Sequence, residues 1–253
     1  MPTSGKGAPV DDALHVKGTP AHTEDMEMLT GQEILDARLD DWRKLGQAFH
    51  ARFLTGDFVT GLRFVTAVAE AAETAGHHPD VTLTYPLVDL KLISHDALVR
   101  VDDGAPERRV WWVTQRDIDL ARRISEIAQE QGIAAEPRAV TQIELGLDTA
   151  DLAAVGPFWA ALLTGSTDSH QGDDVRDPTG RVPILWFQDT DAHETPRQRF
   201  HIDLWVPHDV AKDRIAAAVG AGGRVVDDEN APSFVVLADP EGNKACVCTY
   251  LSR

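Results

Sequence analysis

The chain has 253 residues, of which 41 are acidic and 24 are basic, so its formal net charge is −17. A nucleic-acid backbone and an anionic membrane both attract basic surfaces, so this composition disfavours nucleic acid and membranes as partners. No apolar stretch approaches the roughly 20 residues that span a bilayer, and residues 1–16 lack an apolar signal core, so we expect a cytoplasmic protein. At about 150 residues per domain, the length fits one large or two small domains.

The first 28 residues form a predicted disordered tail. They contain three glycines and three prolines and show almost no apolar periodicity. Order begins near Leu29, because Thr30 followed by Glu33 has the spacing of a capping box and predicts a helix that runs to about Leu39. Residues 42–53 then alternate between apolar and polar side chains and predict a strand or hairpin.

The next predicted helix has clear start and stop signals. Asp57 is a favourable N-cap and Gly76 a favourable C-terminal stop. The predicted buried face consists of Phe58, Leu62, Val65, Val68, Ala69 and Ala72. Two short alternating runs, at residues 81–85 and 88–92, predict two strands with a bend at Pro86.

A second hairpin and a second amphipathic helix follow. Residues 98–101 and 110–113 flank a turn-forming run at 102–106. Thr114 and Asp117 again have capping-box spacing, and Gly132 marks the end of the helix. The predicted buried stripe consists of Ile118, Ala121, Ile124 and Ile127. Residues 29–135 are therefore predicted to be an α+β domain, with helices beside an antiparallel sheet.

The pattern changes after a predicted linker at residues 136–138. From there to residue 253 the order strand, helix, strands occurs twice, about 60 residues apart, which predicts a second domain with an internal repeat. The predicted strands cover residues 140–147, 183–188, 200–206, 224–227, 234–237 and 244–250, and the helices cover residues 152–163 and 210–219. Cys246 and Cys248 point the same way on a strand, roughly 7 Å apart, so we expect reduced thiols.

Three histidines carry the most informative chemistry. His77 and His78 follow the predicted helix end and precede Pro79, so we expect both to be exposed rather than packed. His95 lies at the end of the following strand pair. Imidazole exchanges protons near neutral pH, and three imidazoles around one pocket suit a reaction that moves protons on both faces of a small substrate. Singly, each is compatible with an ordinary surface histidine.

Taken together, these residues resemble the pterin-4a-carbinolamine dehydratase family. The similarity covers residues 29–132 and is most specific in His77-His78-Pro79, Tyr85, His95 and the run from Thr114 to Ala121. It implies a four-stranded antiparallel sheet with helices on one face. It also implies the dehydration of 4a-hydroxytetrahydropterin to quinonoid dihydropterin with no cofactor, because neither a metal, a nicotinamide nor a covalent adduct is required.

The resemblance assigns expected roles to seven residues. The catalytic set is His77, His78 and His95, with His77 and His95 as the acid–base pair and His78 positioning the ring. The substrate-binding set is Glu73, Pro79, Arg116 and Asp117. The sequence leaves open which imidazole is the acid and which is the base.

One segment departs from the family pattern. The family has only a few small residues between the counterparts of His95 and Thr114, whereas 18 residues intervene here and include Trp111 and Trp112. We expect this insertion to be a lid or specificity wall over the pterin pocket, or else an extended edge hairpin or a subunit contact.

A second similarity lies in residues 156–163, 200–204 and 237–244, which resemble a glyoxalase-like domain of the vicinal-oxygen-chelate superfamily, covering residues 139–251. That superfamily is built from paired βαβββ modules. His201, and Gln142 or Glu144, stand where metal-dependent members carry ligands, but Lys244 replaces the usual glutamate. Because an ammonium group repels a cation, we predict no catalytic metal and interpret His201 as an ordinary strand histidine.

The leading hypothesis is a pterin dehydratase with an accessory glyoxalase-like domain, which acts on a pterin small molecule and forms a homo-oligomer by resemblance to its family. One alternative is a non-catalytic dimerisation or coactivator-type binding protein, although such a protein would not need three pocket histidines. The other alternative places a lyase, dioxygenase or small-molecule binding activity in the second domain, which Lys244 disfavours.

Overall fold

The computed structural model describes residues 26–99, 108–164, 166–180, 182–191, 200–220, 223–238 and 244–252. Three features of the sequence analysis lie outside these ranges: most of the tail, the turn at 102–106, and residues 239–243 of the run that resembles a glyoxalase-like domain. Within these ranges, none of the helices combines the length and the apolar character that crossing a membrane requires.

Residues 26–135, called the first unit below, form an antiparallel sheet that packs against helices, in agreement with the predicted fold class. The helices are α1 (Gly31–Asp36), α2 (Phe58–Ala75) and α3 (Gln115–Glu130). The strands are β1 (Arg43–Leu45), β2 (Ala48–Leu54), β3 (Asp80–Thr84), β4 (Leu87–Leu92), β5 (Ser94–Leu98), β6 (Arg109–Trp112) and β7 (Ala134–Ala135). The main sheet has the order β1-β2-β4-β3, with β7 paired to β2, and β5 pairs with β6 in a separate hairpin.

Local signals set the ends of the helices. The Asp57 carboxylate accepts a hydrogen bond from the Thr60 amide at 2.8 Å and caps α2, which ends at Gly76 in the left-handed conformation with φ 60°. Helix α1 begins after the predicted Thr30 cap but ends at Asp36, before the predicted end at Leu39. Arg38 adopts a φ of 49°, which a continuing right-handed helix does not allow.

The core of the first unit lies between the main sheet and helices α2 and α3. Its largest fully buried side chains include Phe49 and Phe53 from β2 and Phe64 from α2. The Trp42 indole packs edge-on against Phe53, with ring centroids 6.2 Å apart, and donates to the Ala121 carbonyl at 3.2 Å. The predicted stripe of α3 is confirmed: Ile118, Ala121, Ile124 and Ile127 are all buried.

The predicted buried face of α2 is confirmed for Val68 and Ala72 and wrong for Phe58 and Leu62. The helix buries Gly61, Phe64, Val68 and Ala72. In contrast, Phe58 is 51% exposed and Leu62 is 54% exposed. A Cβ at position 61 would lie 2.6 Å from Leu83 Cδ1, so the glycine allows α2 to approach β3 closely and selects this face. Apolar residues occur on more than one face of α2, and periodicity alone does not distinguish them.

Residues 136–252, called the second unit below, contain two consecutive βαβββ modules. The first comprises β8 (Gln142–Thr149), α4 (Leu152–Thr164), β9 (His170–Gln171), β10 (Asp174–Val175) and β11 (Leu185–Asp189). The second comprises β12 (Phe200–Trp205), α5 (Ala211–Gly220), β13 (Arg224–Asp227), β14 (Phe234–Ala238) and β15 (Lys244–Cys248). The eight strands form one sheet in the order β13-β14-β15-β12-β8-β11-β10-β9, and the antiparallel pair β8 and β12 joins the modules.

Two outcomes of the sequence analysis concern this second unit. The repeat is confirmed, but β9 and β10 were not predicted, because two-residue strands carry no measurable periodicity. Cys246 and Cys248 are both reduced cysteines, as predicted. The division of the chain at residue 135 stays a prediction.

The two units share buried contacts. One apolar cluster draws on both and consists of Leu45, Val140, Trp205 and Cys248. Tyr250 belongs to the core of the first unit. His50 lines the cleft between the units. Burial, together with the nearby Lys91 and Lys44 charges, lowers the pKa of His50 to about 3, so this histidine is neutral at pH 7. The second unit therefore covers part of the sheet face that lies opposite α2 and α3.

A pair of phenylalanines on α2 tests the corrected buried face. Phe64→Ala should lower the free energy of unfolding by about 3–5 kcal/mol, because it leaves a cavity in the core. The matched change Phe58→Ala, on the exposed face, should lower the free energy of unfolding by less than about 1 kcal/mol. Urea unfolding of both variants measures the difference, and equal losses would contradict the assignment.

Candidate active site

His77 lies directly after the C-terminal end of α2. The Gly76 turn redirects the chain, and the His77 amide donates to the Ala72 carbonyl at 3.2 Å. Residue His77 is only 8% exposed, so the expectation that it would be exposed is wrong. A buried imidazole needs a hydrogen-bond partner, and its partner comes from a distant part of the chain.

That partner is Asp117, in the first turn of α3. His77 Nε2 lies 2.8 Å from Asp117 Oδ1. Asp117 Oδ2 accepts from the Thr114 amide at 2.8 Å and from Ser94 Oγ at 2.7 Å. The Asp117 side chain is completely buried, and such a carboxylate is tolerated only when its oxygens are hydrogen-bonded in this way.

These contacts give His77 a defined tautomer and orientation. Because the carboxylate oxygen accepts, the His77 ring carries its proton on Nε2, and Nδ1 is the ring nitrogen that can face a small molecule. The same relation of a buried aspartate to a histidine orients the general base in hydrolytic triads. The arrangement can therefore transfer a proton at a fixed position.

His95 is the second residue of β5 and has a different environment. The register between β5 and β6 is interrupted, so that His95 and Asp96 together stand opposite Trp111. Such a β-bulge re-aims a side chain. The His95 ring lies 4.3 Å from the Trp111 ring, centroid to centroid, at an angle of 33°.

His95 is an exposed residue, but partial desolvation of its ring lowers the pKa of the imidazole below its usual value of 6.5. The positive charge of Lys91 and a protonated His77 act in the same direction, whereas Asp80 and Asp96 oppose it. His95 is thus the neutral imidazole of the site near pH 7 and is able to accept a proton. The interaction with His77 shows that the two histidines belong to one electrostatic neighbourhood.

The remaining predicted residues lie around this pair. His78 and Glu73 form an exposed ion pair, with 3.4 Å between Nε2 and Oε1, and Pro79 is half-buried beside them. Arg116 is paired with Asp96 and lines a groove of about 670 Å³ between α2 and α3, which also reaches His77. The structure thus brings His77 and Asp117 into direct contact and leaves Glu73 and His78 at the surface.

Ser94, Thr114 and Trp111 contribute to the site but were not predicted as site residues. Ser94 Oγ and Thr114 Oγ1 are 2.9 Å apart and both contact Asp117. The signal for Ser94 was its position, a polar residue directly before His95. Trp111 carried no such signal beyond its place in the insertion.

Comparison with known proteins identifies the family of the first unit. Residues 27–127 match the family model of pterin 4 alpha carbinolamine dehydratase. A curated relative from Koribacter versatilis, named "Putative pterin-4-alpha-carbinolamine dehydratase", is 41% identical over 101 residues, which cover 39% of this chain and 94% of the relative. The chain belongs to the pterin-4a-carbinolamine dehydratase family. The first unit is called the dehydratase unit from here on.

Further relatives cover the same part of the chain. One from Nocardia farcinica, with the same name, is 36% identical over 105 residues, which cover 41% of this chain and 97% of the relative. A solved structure described as a transcriptional coactivator/pterin dehydratase from Brucella melitensis is 31% identical, with a TM-score of 0.33, and covers 40% of this chain and 99% of that one. Residues 144–248 match the model of a glyoxalase-like domain, so the second unit is called the glyoxalase-like unit.

The glyoxalase-like unit carries its own polar cluster. His201, Asp203 and Cys246 each offer one donor atom, all within 4.8 Å of one another, a set whose chemistry suits a zinc ion. His201 Nδ1 already lies 3.3 Å from Asp203 Oδ1, and hydrogen bonding to Asp203 raises the pKa of His201. His201 therefore belongs to a polar cluster and is not an isolated strand histidine.

Glu144, one of the two residues considered as a further ligand, is engaged elsewhere. Its Oε2 atom accepts a hydrogen bond from Trp205 Nε1 at 2.6 Å, and its side chain is also hydrogen-bonded to the side chain of Gln47 in the dehydratase unit. That this unit holds no catalytic metal stays a prediction, which metal analysis of the purified protein checks.

Replacing the buried carboxylate tests the role of Asp117. Asp117→Asn should lower the free energy of unfolding by about 2–3 kcal/mol, because the amide NH2 group faces donors that the carboxylate satisfied. It should also change the tautomer of His77, seen in the ring ¹⁵N chemical shifts. Asp119→Asn, which changes an exposed residue of the same helix, should alter the free energy of unfolding by no more than about 0.5 kcal/mol. Equal effects of the two variants would contradict the role of Asp117.

Proposed function

We propose that the dehydratase unit removes water from a 4a-hydroxytetrahydropterin and releases quinonoid dihydropterin. The single observation that carries this proposal is the buried His77–Asp117 pair, with a second, neutral histidine, His95, in the same electrostatic neighbourhood. Membership of the dehydratase family supports the same reaction class.

The chemistry needs one proton donor and one proton acceptor. The C4a–O bond breaks and the hydroxyl group leaves as water after receiving a proton, while N5 gives up its proton and its electron pair forms the new double bond to C4a. The overall change is the loss of one water molecule, so no oxidant or reductant enters. Positioned acid–base groups typically accelerate such steps by about 10²–10⁴-fold.

We assign the base to His95 and the acid to His77. A neutral His95 is ready to accept the N5 proton. His77 delivers a proton to the leaving hydroxyl from Nδ1, and the Asp117 carboxylate stabilises the imidazolium form required for this step. Asp117 contacts His77, Ser94 and Thr114 with both oxygens and is fully buried, so we assign it a positioning role rather than direct contact with the pterin.

The exposed pair Glu73 and His78 is the proposed recognition group. The pyrimidine edge of a pterin presents a 2-amino group and an N3–H, and a carboxylate such as Glu73 accepts two parallel hydrogen bonds from that edge. His78, next to Glu73, positions the ring, and Pro79 and Arg116 complete the wall. A cytoplasmic location and a homo-oligomeric assembly stay predictions.

Histidine substitutions test the catalytic assignment. Dehydration is measured on 4a-hydroxytetrahydropterin generated in place by an aromatic amino-acid hydroxylase. His95→Gln and His77→Gln should each lower kcat by about 10²–10⁴-fold. His208→Gln, which changes a histidine of the glyoxalase-like unit, is the matched control and should leave kcat unchanged. An inactive wild-type chain would favour a non-catalytic binding role, and full activity in both variants would contradict the assignment of His77 and His95.

The pH dependence of turnover tests the state of His95. Protonated His95 cannot accept the N5 proton, so activity should fall as the pH drops through its pKa. Because partial desolvation lowers that pKa below 6.5, the acid limb of kcat/KM should have its midpoint below pH 6.5. A midpoint above 6.5, or an acid limb that survives in His95→Gln, would contradict the assignment.

A further inference from the structure

His95 is held by a residue of the insertion. Its ring lies against that of Trp111, with the centroids 4.3 Å apart and the planes tilted by 33°. The backbone on either side of His95 is anchored, since Ser94 bonds to Asp117 and Asp96 pairs with Arg116. The His95 side chain itself projects from the bulge, so its orientation depends on Trp111.

Trp111 in turn contacts Arg176 of the glyoxalase-like unit. The Arg176 guanidinium carbon lies 5.1 Å from the centre of the Trp111 ring, within the range of a cation–π interaction. Arg176 follows β10, pairs with Asp174 and donates its amide to the Ser169 carbonyl at 3.0 Å. The cation is thus fixed by the framework of the second sheet.

The environment of Arg176 supports this use of its side chain. Its Nη1 atom is buried and has no hydrogen-bond partner among the residues described by the structure. A buried guanidinium nitrogen without an acceptor is costly, and the face of an indole ring is the favourable surface within reach. Arg176 and Trp111 both line the cleft of about 250 Å³ between the two units.

We propose that Trp111 and Arg176 are positioning residues for the dehydratase site: Arg176 of the glyoxalase-like unit steadies Trp111, and Trp111 holds the His95 imidazole in the orientation needed for proton transfer. This inference rests on the proposed dehydratase function. It gives the glyoxalase-like unit a role in the neighbouring reaction through a chain of two ring contacts, Arg176 to Trp111 and Trp111 to His95.

The test uses the full chain with labelled histidine, in which the His95 signal is identified by its loss in His95→Gln. Trp111→Leu should move the His95 titration midpoint upwards, because the ring becomes more hydrated. The charges that face His95 from other elements, Asp80, Lys91, His77 and Asp96, are unchanged in this variant. Trp111→Leu should also lower kcat about tenfold, because misplaced catalytic groups lose rate. Trp111→Phe should restore most of both properties.

The decisive variant lies in the other unit. Arg176→Gln should shift the His95 signal in the same direction as Trp111→Leu and lower kcat about threefold with little change in KM, while Arg176→Lys gives an intermediate effect. Arg224→Gln, the same change on β13 at the opposite end of the sheet, is the matched control. A His95 signal and titration midpoint that are identical in Arg176→Gln and Arg224→Gln would overturn the proposal.

The two proposals fail in different ways. If wild type lacks turnover while Arg176→Gln still moves the His95 signal, the reaction assignment is wrong and the contact from the glyoxalase-like unit to His95 is supported. If the wild-type chain is active and its His95 signal is unchanged in Arg176→Gln, the reaction assignment is supported and the positioning role is wrong.

Discussion

The buried carboxylate of Asp117 is the constraint on which the site depends. A charge with no solvent contact is tolerated only if donors surround it, and its donors come from the start of α3, from β5 and from the residue after α2. One side chain therefore fixes the relative position of three segments that carry the chemistry. His77 gains its tautomer from this arrangement, and Ser94 fixes the backbone beside His95.

The glyoxalase-like unit completes the surroundings of that site. It is joined to the dehydratase unit by an apolar cluster and by polar contacts such as the ion pair between Arg43 and Asp209, 3.0 Å apart. The two tryptophans of the insertion have different surroundings: Trp112 packs against the core of the dehydratase unit and beside Lys44, whereas Trp111 contacts His95 and Arg176. The described residues of the insertion, 96–99 and 108–113, thus include contacts to both units, and a role as a lid or wall over the pterin pocket stays a prediction.

The features that the sequence predicted well depend on near neighbours. The Asp57 and Thr114 caps, the Gly76 turn, the stripe of α3 and the doubled βαβββ order all follow from local spacing. The errors concern distant partners. The α2 face depends on the close approach of Leu83 to Gly61, and the burial of His77 depends on a carboxylate 40 residues away. The contact between Trp111 and Arg176 joins two units, so no local pattern could predict it.

A crystal structure of the chain with a non-reacting dihydropterin tests the central claim most directly. The account predicts that the pterin binds at the dehydratase site with C4a facing His77 Nδ1, N5 within hydrogen-bond reach of His95 and the pyrimidine edge on Glu73. Binding away from both histidines, for example in the glyoxalase-like unit alone, would contradict it.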